Sequence, residues 1–247
     1  MHQHQYKNIY LLTALLCLWT FSTLAQADAV IKKNYMKHGS VHYFKANAQE
    51  ITLGVWGEKH TPIGQANYLD REGSLEKVID DVLVTRFKMS QSGSSKADVL
   101  ANFSIEKLGL GISGHDFYEK LSNHEYEFLE ISIANKNKFK NDLNKKPNLI
   151  NDLKQRDDHR IVTSVIIVIS GKEATKMGIT HQGSVSGTWN GMKLTVNTDV
   201  GNTSDRTYEP APGSTYAYML DKMKWDAVVK EKRTKILDLT DDQHGLY

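Results

Sequence analysis

Gly109-Leu110-Gly111-Ile112-Ser113-Gly114 carries the glycine spacing of a turn that wraps a dinucleotide pyrophosphate, and Glu130 follows near the distance where an acid would hold the ribose. That chemistry needs a strand before the glycines and a full helix after them, so that the helix N-terminus meets the phosphates. The residues after Gly114 support only a short helix, and the neighbouring segments alternate as antiparallel strands do. A flexible turn accounts for these glycines better. Ser170-Gly171-Lys172-Glu173 ends like a phosphate loop, but Glu173 stands where a hydroxyl would bind magnesium, and no glycine lies five residues before Gly171. Gly183-Ser184-Val185-Ser186-Gly187 places Val185 where a nucleophile elbow requires serine. All three motifs fail on their chemistry, and no cofactor is expected.

The histidines offer little more. His38 and His42 are four apart, but KHGSVHYF reads as loop into strand, so the spacing does not bring both rings to one helical face. No third ligand can be nominated, and no metal site is expected. Asp157-Asp158-His159 has the residue types for acid–base work, yet it lies just ahead of the apolar run RIVTSVIIVIS and reads more simply as the solvated start of a strand. No catalytic constellation emerges, so the chain is expected to be non-enzymatic. Basic residues cluster at Lys32-Lys33, at Lys136, Lys138, Lys140, Lys145 and Lys146, and at Lys230, Lys232, Arg233 and Lys235. Such runs are ordinarily solvated faces. At about 1 kcal/mol per residue beside an anionic bilayer, the five lysines from 136 to 146 are nonetheless candidates for membrane docking.

The chain ends bound the compartment. Residues 1–27 read as a signal peptide: Lys7, then the apolar run YLLTALLCLWTFSTLA, then the small-x-small site Ala25-Gln26-Ala27. The run is interrupted by Thr13, Thr20, Ser22 and Thr23 and is shorter than the roughly 18 apolar residues a membrane span needs. Leu16 before Cys17 argues against lipoprotein processing. The expected location is therefore periplasmic or secreted. With the leader go Lys7 and the one cysteine, Cys17, so 31 basic residues become 30 against 29 acidic and the net charge falls from +2 to +1. Neither nucleic acid nor any strongly charged partner is called for. Stability must come from burial without disulfides, which a domain of this size can supply.

Strands dominate the expected elements. GSVSGTW and MKLTVNTDV flank Asn190-Gly191, the dipeptide best suited to a tight hairpin; Met192, Leu194, Val196 and Val200 share one face of the outgoing arm. ADVLANFSIEKL alternates similarly, with Val99, Ala101, Phe103 and Ile105 on one side. EYEFLEISIAN mixes its faces, which predicts a bulge near Leu129. PGSTYAYMLDKMKW adds a late strand. Helices are predicted for SLEKVIDDVLV capped by Ser74, for NKNKFKNDLNKKPNLINDLKQRD interrupted or restarted at Pro147, and for WDAVVKEKRTKILDL from Trp225, while HDFYEKLSN reads as one short helix or a loop. The fold class is α+β: one domain over 28–224 with a twisted, mainly antiparallel sheet and a few short helices, then a C-terminal tail, 225–247, as a candidate regulatory segment.

The order of these segments resembles the pore-forming domain of gasdermins, especially the short bacterial members, over about residues 50–223. The likeness runs from EITLGVWGEKHTPIGQANYLD through VTRFKMSQSGSSKADVLANFSIEKLGLGISG, the polar helix before RIVTSVIIV, and PGSTYAYML. It implies a sheet whose extended regions refold into amphipathic strands and a homo-oligomeric β-barrel in a lipid membrane, restrained by a C-terminal segment until a protease removes it. On that reading Val99, Ala101, Phe103, Ile105, Met192, Leu194, Val196 and Val200 lie on membrane-inserting strands. Residues 161–170, apolar without alternation, are instead a strand buried on both faces. The chain departs from the family in its export leader, and no protease site is readable. The other reading is an exported, non-enzymatic binding protein whose sheet holds a partner protein or an apolar ligand through Trp56, Trp189, Tyr216 and Tyr218.

Overall fold

A computed structural model describes residues 28–102, 105–108, 110–179, 184–197, 205–210 and 214–243. The leader 1–27, Phe103, Gly109, Gly183 and Val200 lie outside the described residues.

The centre is β8 (His159–Ser170), rich in Val, Ile and Thr and buried at every position but the last. Branched side chains pack well on a pleated surface, and here both surfaces are covered, so apolar residues run without alternation. This is the doubly buried strand expected from the sequence. One edge of β8 pairs with β12 (Thr215–Trp225). The other is shared: β7 (Tyr126–Ile133) takes Ser164 to Ser170, and β4 (Val55–His60) takes His159 to Ile161. Strand β12 is shared in the same way, between β3 (Val41–Phe44) at Tyr218 and β13 (Ile236–Asp241) from Asp221 to Trp225. Among the described residues thirteen strands thus form one open sheet whose main path ends in β6 (Asp81–Phe87), β9 (Ser184–Asn190), β10 (Lys193–Asn197) and β11 (Asp205–Tyr208). All its ladders are antiparallel, with β1 (Val30–Ile31) and β2 (Tyr35–His38) at the opposite end and β5 (Tyr68–Ser74) beside β4.

Five α-helices cover the two faces among the described residues. On one face α1 (Lys96–Leu100) and α2 (Gly114–Ser122) enclose Phe87, Val99, Phe117, Leu121, Phe128 and Tyr216. Against the other, α3 (Lys136–Asn144) and α4 (Pro147–Leu153) bury Phe139, Leu143, Ile150 and Leu153 over Leu129, Val165 and Leu220. Pro147 begins α4 at its first position, where its missing N–H costs nothing. The last helix is α5 (Gly171–Lys176).

Several expected elements differ. The segment from Val99 to Ile105 is not a strand: Ser95 Oγ accepts from Asp98 N at 3.1 Å and caps α1, Asn102 turns left-handed at φ 57°, and Ile105 opens a 3-10 turn to Leu108. The signal outweighing the alternation is Ser95-x-x-Asp98, a capping pair. Ala101 sits just past α1, so Val99, Ala101 and Ile105 share no strand.

The helix expected from Ser74 shrinks to a 3-10 turn at Glu76–Val78, and DVLVTRF becomes β6, paired with β7 and β9 on its two edges. Two ladders outweigh a helical period that only one turn satisfies. No bulge interrupts β7, whose register is regular against both neighbours; its faces mix because helices cover both. Register shifts fall on β12 instead. The terminal helix is likewise replaced, by a 3-10 turn at Lys230–Lys232 and β13. Ile236 and Leu239 are three apart, as on a helix, but the open edge of β12 takes their backbone. At the hairpin, Asn190 pairs with Lys193, so the two-residue loop is Gly191-Met192, one residue later than expected, with Gly191 at φ 61° as a II′ turn requires. Parity is unaffected: Leu194 and Val196 are buried, while Met192 lies in the turn.

Candidate functional site

The five lysines singled out for membrane docking lie on α3 and its junction with α4, and the C-terminal strand is laid against them. Lys136 Nζ stands 2.8 Å from Asp221 Oδ2 and 2.8 Å from Asp241 Oδ1, joining α3 to both β12 and β13. Asp221 is wholly buried and also accepts from Thr163 Oγ1 at 2.7 Å. Burial raises its pKa, with Lys136 and Thr163 opposing. At Lys136 burial works against the charge, but the two carboxylates outweigh it and its pKa rises. Lys140 Nζ donates to the Leu237 carbonyl at 2.8 Å. Asn144 completes the contact, accepting from Ile236 N and donating to Ile236 O, each at 2.9 Å.

The remaining lysines have other engagements. Lys138 pairs with Asp80 at 2.5 Å and Asp142 at 3.2 Å, and Lys145 pairs with Asp142 at 2.7 Å. Hydrogen bonds from these lysines lower the pKa of exposed Asp142. Lys146 is exposed at the N-cap of α4. The cluster is therefore an ion-paired surface, largely neutralised by acids on its own helix, on β12 and on β13.

Beyond β13 the chain stays bound. Asp242 N donates to Leu220 O at 2.7 Å, while its carboxylate meets Lys59 Nζ at 3.0 Å and Arg160 Nε at 2.5 Å, all three side chains nearly buried. Burial lowers the pKa of Lys59, with Asp242 opposing. The pKa of Asp242 is also lowered, because its two cations outweigh burial. Arg233 reaches Asp157 Oδ1 at 2.6 Å. Residues 226–243 are thus fastened to α3, β4 and β8.

The other sequence candidates separate. Asp157 serves the Arg233 pair. His159 is buried, with Nδ1 3.0 Å from the Leu153 carbonyl and Nε2 in a 3.0 Å ionic contact with Glu72 lacking hydrogen-bond alignment. His38 stacks on Phe87 at 3.9 Å, whereas His42 Nδ1 meets Gln243 at 3.0 Å. Among the described residues no cluster of three His, Cys, Asp or Glu could hold a metal. Glu130, the ribose candidate, accepts from Tyr43 OH at 2.9 Å and Ser164 Oγ at 2.8 Å within the sheet. Ser170 caps α5 by accepting from Glu173 N at 3.2 Å, which accounts for the loop-like spacing there. Trp56, Trp189, Tyr216 and Tyr218 are buried in the core.

Sequence reasoning passed over Lys59, Arg86, Glu127, Arg160 and Asp242. For Arg86 and Glu127 the signal is a formal charge inside a largely apolar strand, DVLVTRF and YEFLEISI, which implies a buried partner; Lys59 and Asp242 sit among polar neighbours and carry no such signal. No helix among the described residues is long and apolar enough to cross a membrane, a statement that does not bear on strands. Comparison of the chain with family models, with curated proteins and with solved structures gives no match in any of the three.

Proposed function

We propose that this chain is an exported, non-enzymatic, membrane-permeabilising protein whose C-terminal strand restrains the lysine helix until it is removed, and whose active form is a homo-oligomeric β-barrel. The observation that carries this reading is the contact between the lysine helix and the C-terminal strand. Lys136, Lys140 and Asn144 of α3 all bond to residues 236–241. Releasing that strand frees Lys140 for anionic headgroups, leaves Lys136 with Asp221 alone, leaves the β12 edge from Asp221 to Trp225 unpaired, and deprives Lys59 and Arg160 of Asp242.

An open edge invites new pairing, and unpartnered buried charge is costly. Both push the trimmed chain to rearrange, and a closed barrel is the strand arrangement that leaves no backbone bare in lipid. The resemblance in segment order to gasdermins supplies the barrel as the end state. Its strands come from the β9–β10 hairpin at the far end of the sheet. Among the described residues those arms have 7 and 5 residues, against the roughly 9 to 11 that span a bilayer. Residues 96–108 join only by unwinding α1.

The test is dye release from anionic liposomes by protein carrying an engineered protease site after Trp225. Cutting is expected to start release, and uncut protein to leave vesicles sealed. Lys136→Glu with Lys140→Glu should slow release after cutting. Vesicles that stay sealed at micromolar cut protein would refute the reading.

A further inference from the structure

A cleft of about 820 Å3 opens between the C-terminal end of α2, the start of β7 and the β8–α5 junction. Its volume falls in the range of about 300 to 1,000 Å3 typical of small-molecule sites. Arg86 of β6 lines its inner wall and is only 7% exposed. The guanidinium is held from several sides: Nε donates to Glu127, Nη1 to Thr175 Oγ1 at 3.2 Å and to Ile179 O at 3.0 Å, and Nη2 to Gly171 O at 3.2 Å. A guanidinium has five N–H groups. These contacts use four, so one Nη2 hydrogen is left on a buried, rigidly positioned cation.

The space beside that hydrogen depends on Gly171. A Cβ there would stand 3.3 Å from Glu127 Oε1 and 3.5 Å from Arg86 Nη2. Around the mouth, Lys120 is paired with Glu125 at 2.7 Å and Lys176 with Glu173 at 2.7 Å. Lys172 has no ion-pair partner among the described residues and lines the same cleft. His124 adds a buried Nδ1 without a hydrogen-bond partner, and its residue adopts φ 59°. With Glu127 and Glu125 already neutralised, the surplus charge is positive.

We infer that this cleft binds a small soluble phosphomonoester. With one free N–H, Arg86 offers a single-pronged contact, not the two-pronged grip that an arginine can give a carboxylate or a phosphate. The ligand must gather single donors from different directions, from Arg86 Nη2 and Lys172 Nζ, and a tetrahedral oxyanion does that. The volume greatly exceeds a bare phosphate, which leaves room for an organic portion beside Tyr126. This inference does not rest on the membrane reading.

Calorimetric titration of the full chain tests it, with glycerol 1-phosphate, glycerol, inorganic phosphate, and vesicles containing phosphatidic acid as separate arms. Saturable binding of glycerol 1-phosphate is expected, at least tenfold tighter than inorganic phosphate, with none for glycerol. Lys172→Glu should weaken it at least tenfold with an unchanged thermal unfolding midpoint. Absence of saturable binding, or full affinity in Lys172→Glu, overturns the site. Inorganic phosphate binding as tightly as the ester overturns the organic portion. Binding confined to the vesicles overturns a soluble ligand and assigns a lipid headgroup.

Discussion

Asn144 grips the backbone of Ile236 at both its N–H and its C=O, each at 2.9 Å, although 92 residues separate them. One side-chain amide thereby docks the start of β13 on α3, and the rest of the C-terminal segment follows in register against β12. Replacing Asn144 with Ala leaves both backbone groups without that partner. A lost hydrogen bond at a partly buried site costs about 1 to 3 kcal/mol. We expect faster proteolysis within residues 226–243 and a lower urea midpoint; an unchanged cleavage rate would show that the clamp does not hold the strand.

Asp242 makes a larger prediction. Asp242→Ala leaves Lys59 and Arg160 facing each other with neither of the contacts at 3.0 and 2.5 Å. Breaking a buried pair by removing one partner costs about 3 to 5 kcal/mol. The triple variant Asp242→Ala, Lys59→Met, Arg160→Met should recover most of that loss, because no buried charge remains. Denaturant titration of the two variants checks it, and equal stabilities would contradict the account.

Lys45 sets a dependence on pH. Its Nζ is fully buried, donates to the Lys32 carbonyl at 3.1 Å and the Asp98 carbonyl at 2.5 Å, and burial lowers its pKa to about 7. In the unfolded chain a lysine keeps its proton to about pH 10.4. Between these values the unfolded state binds the extra proton, so stability rises with pH by up to about 1.4 kcal/mol per unit and is lost as pH falls toward 7. Lys59, lowered mainly by burial, adds in the same direction. Urea midpoints of the native protein should therefore climb between about pH 7 and 9, and Lys45→Met should flatten that climb without removing it.

Gly191 controls the edge hairpin. At φ 61° an alanine there costs about 1 to 2 kcal/mol of local strain, whereas asparagine tolerates the conformation better. Hydrogen exchange should accelerate across β9 and β10 in Gly191→Ala and much less in Gly191→Asn. Equal protection in both would place the turn elsewhere.

The residues that declared themselves in the sequence do so through local chemistry. The apolar, largely β-branched run from Ile161 to Ile169 favours a strand covered on both faces; Pro147 interrupts or restarts a helix; Asn190-Gly191 marks a tight turn. The lysine series from 136 and the apolar parity of Leu194 and Val196 are equally local. Tertiary structure decided the segments whose patterns fit two periods. Leu75 to Val82, Val99 to Ile105 and Ile236 to Leu239 each carry apolar residues at spacings compatible with more than one element, and their form follows from which strand edge or helix surface lies open beside them. The buried charges belong to the same class. Arg86 meets Glu127 across 41 residues and Asp242 meets Lys59 across 183, separations no local spacing records, because only the closing of the sheet brings those strands side by side.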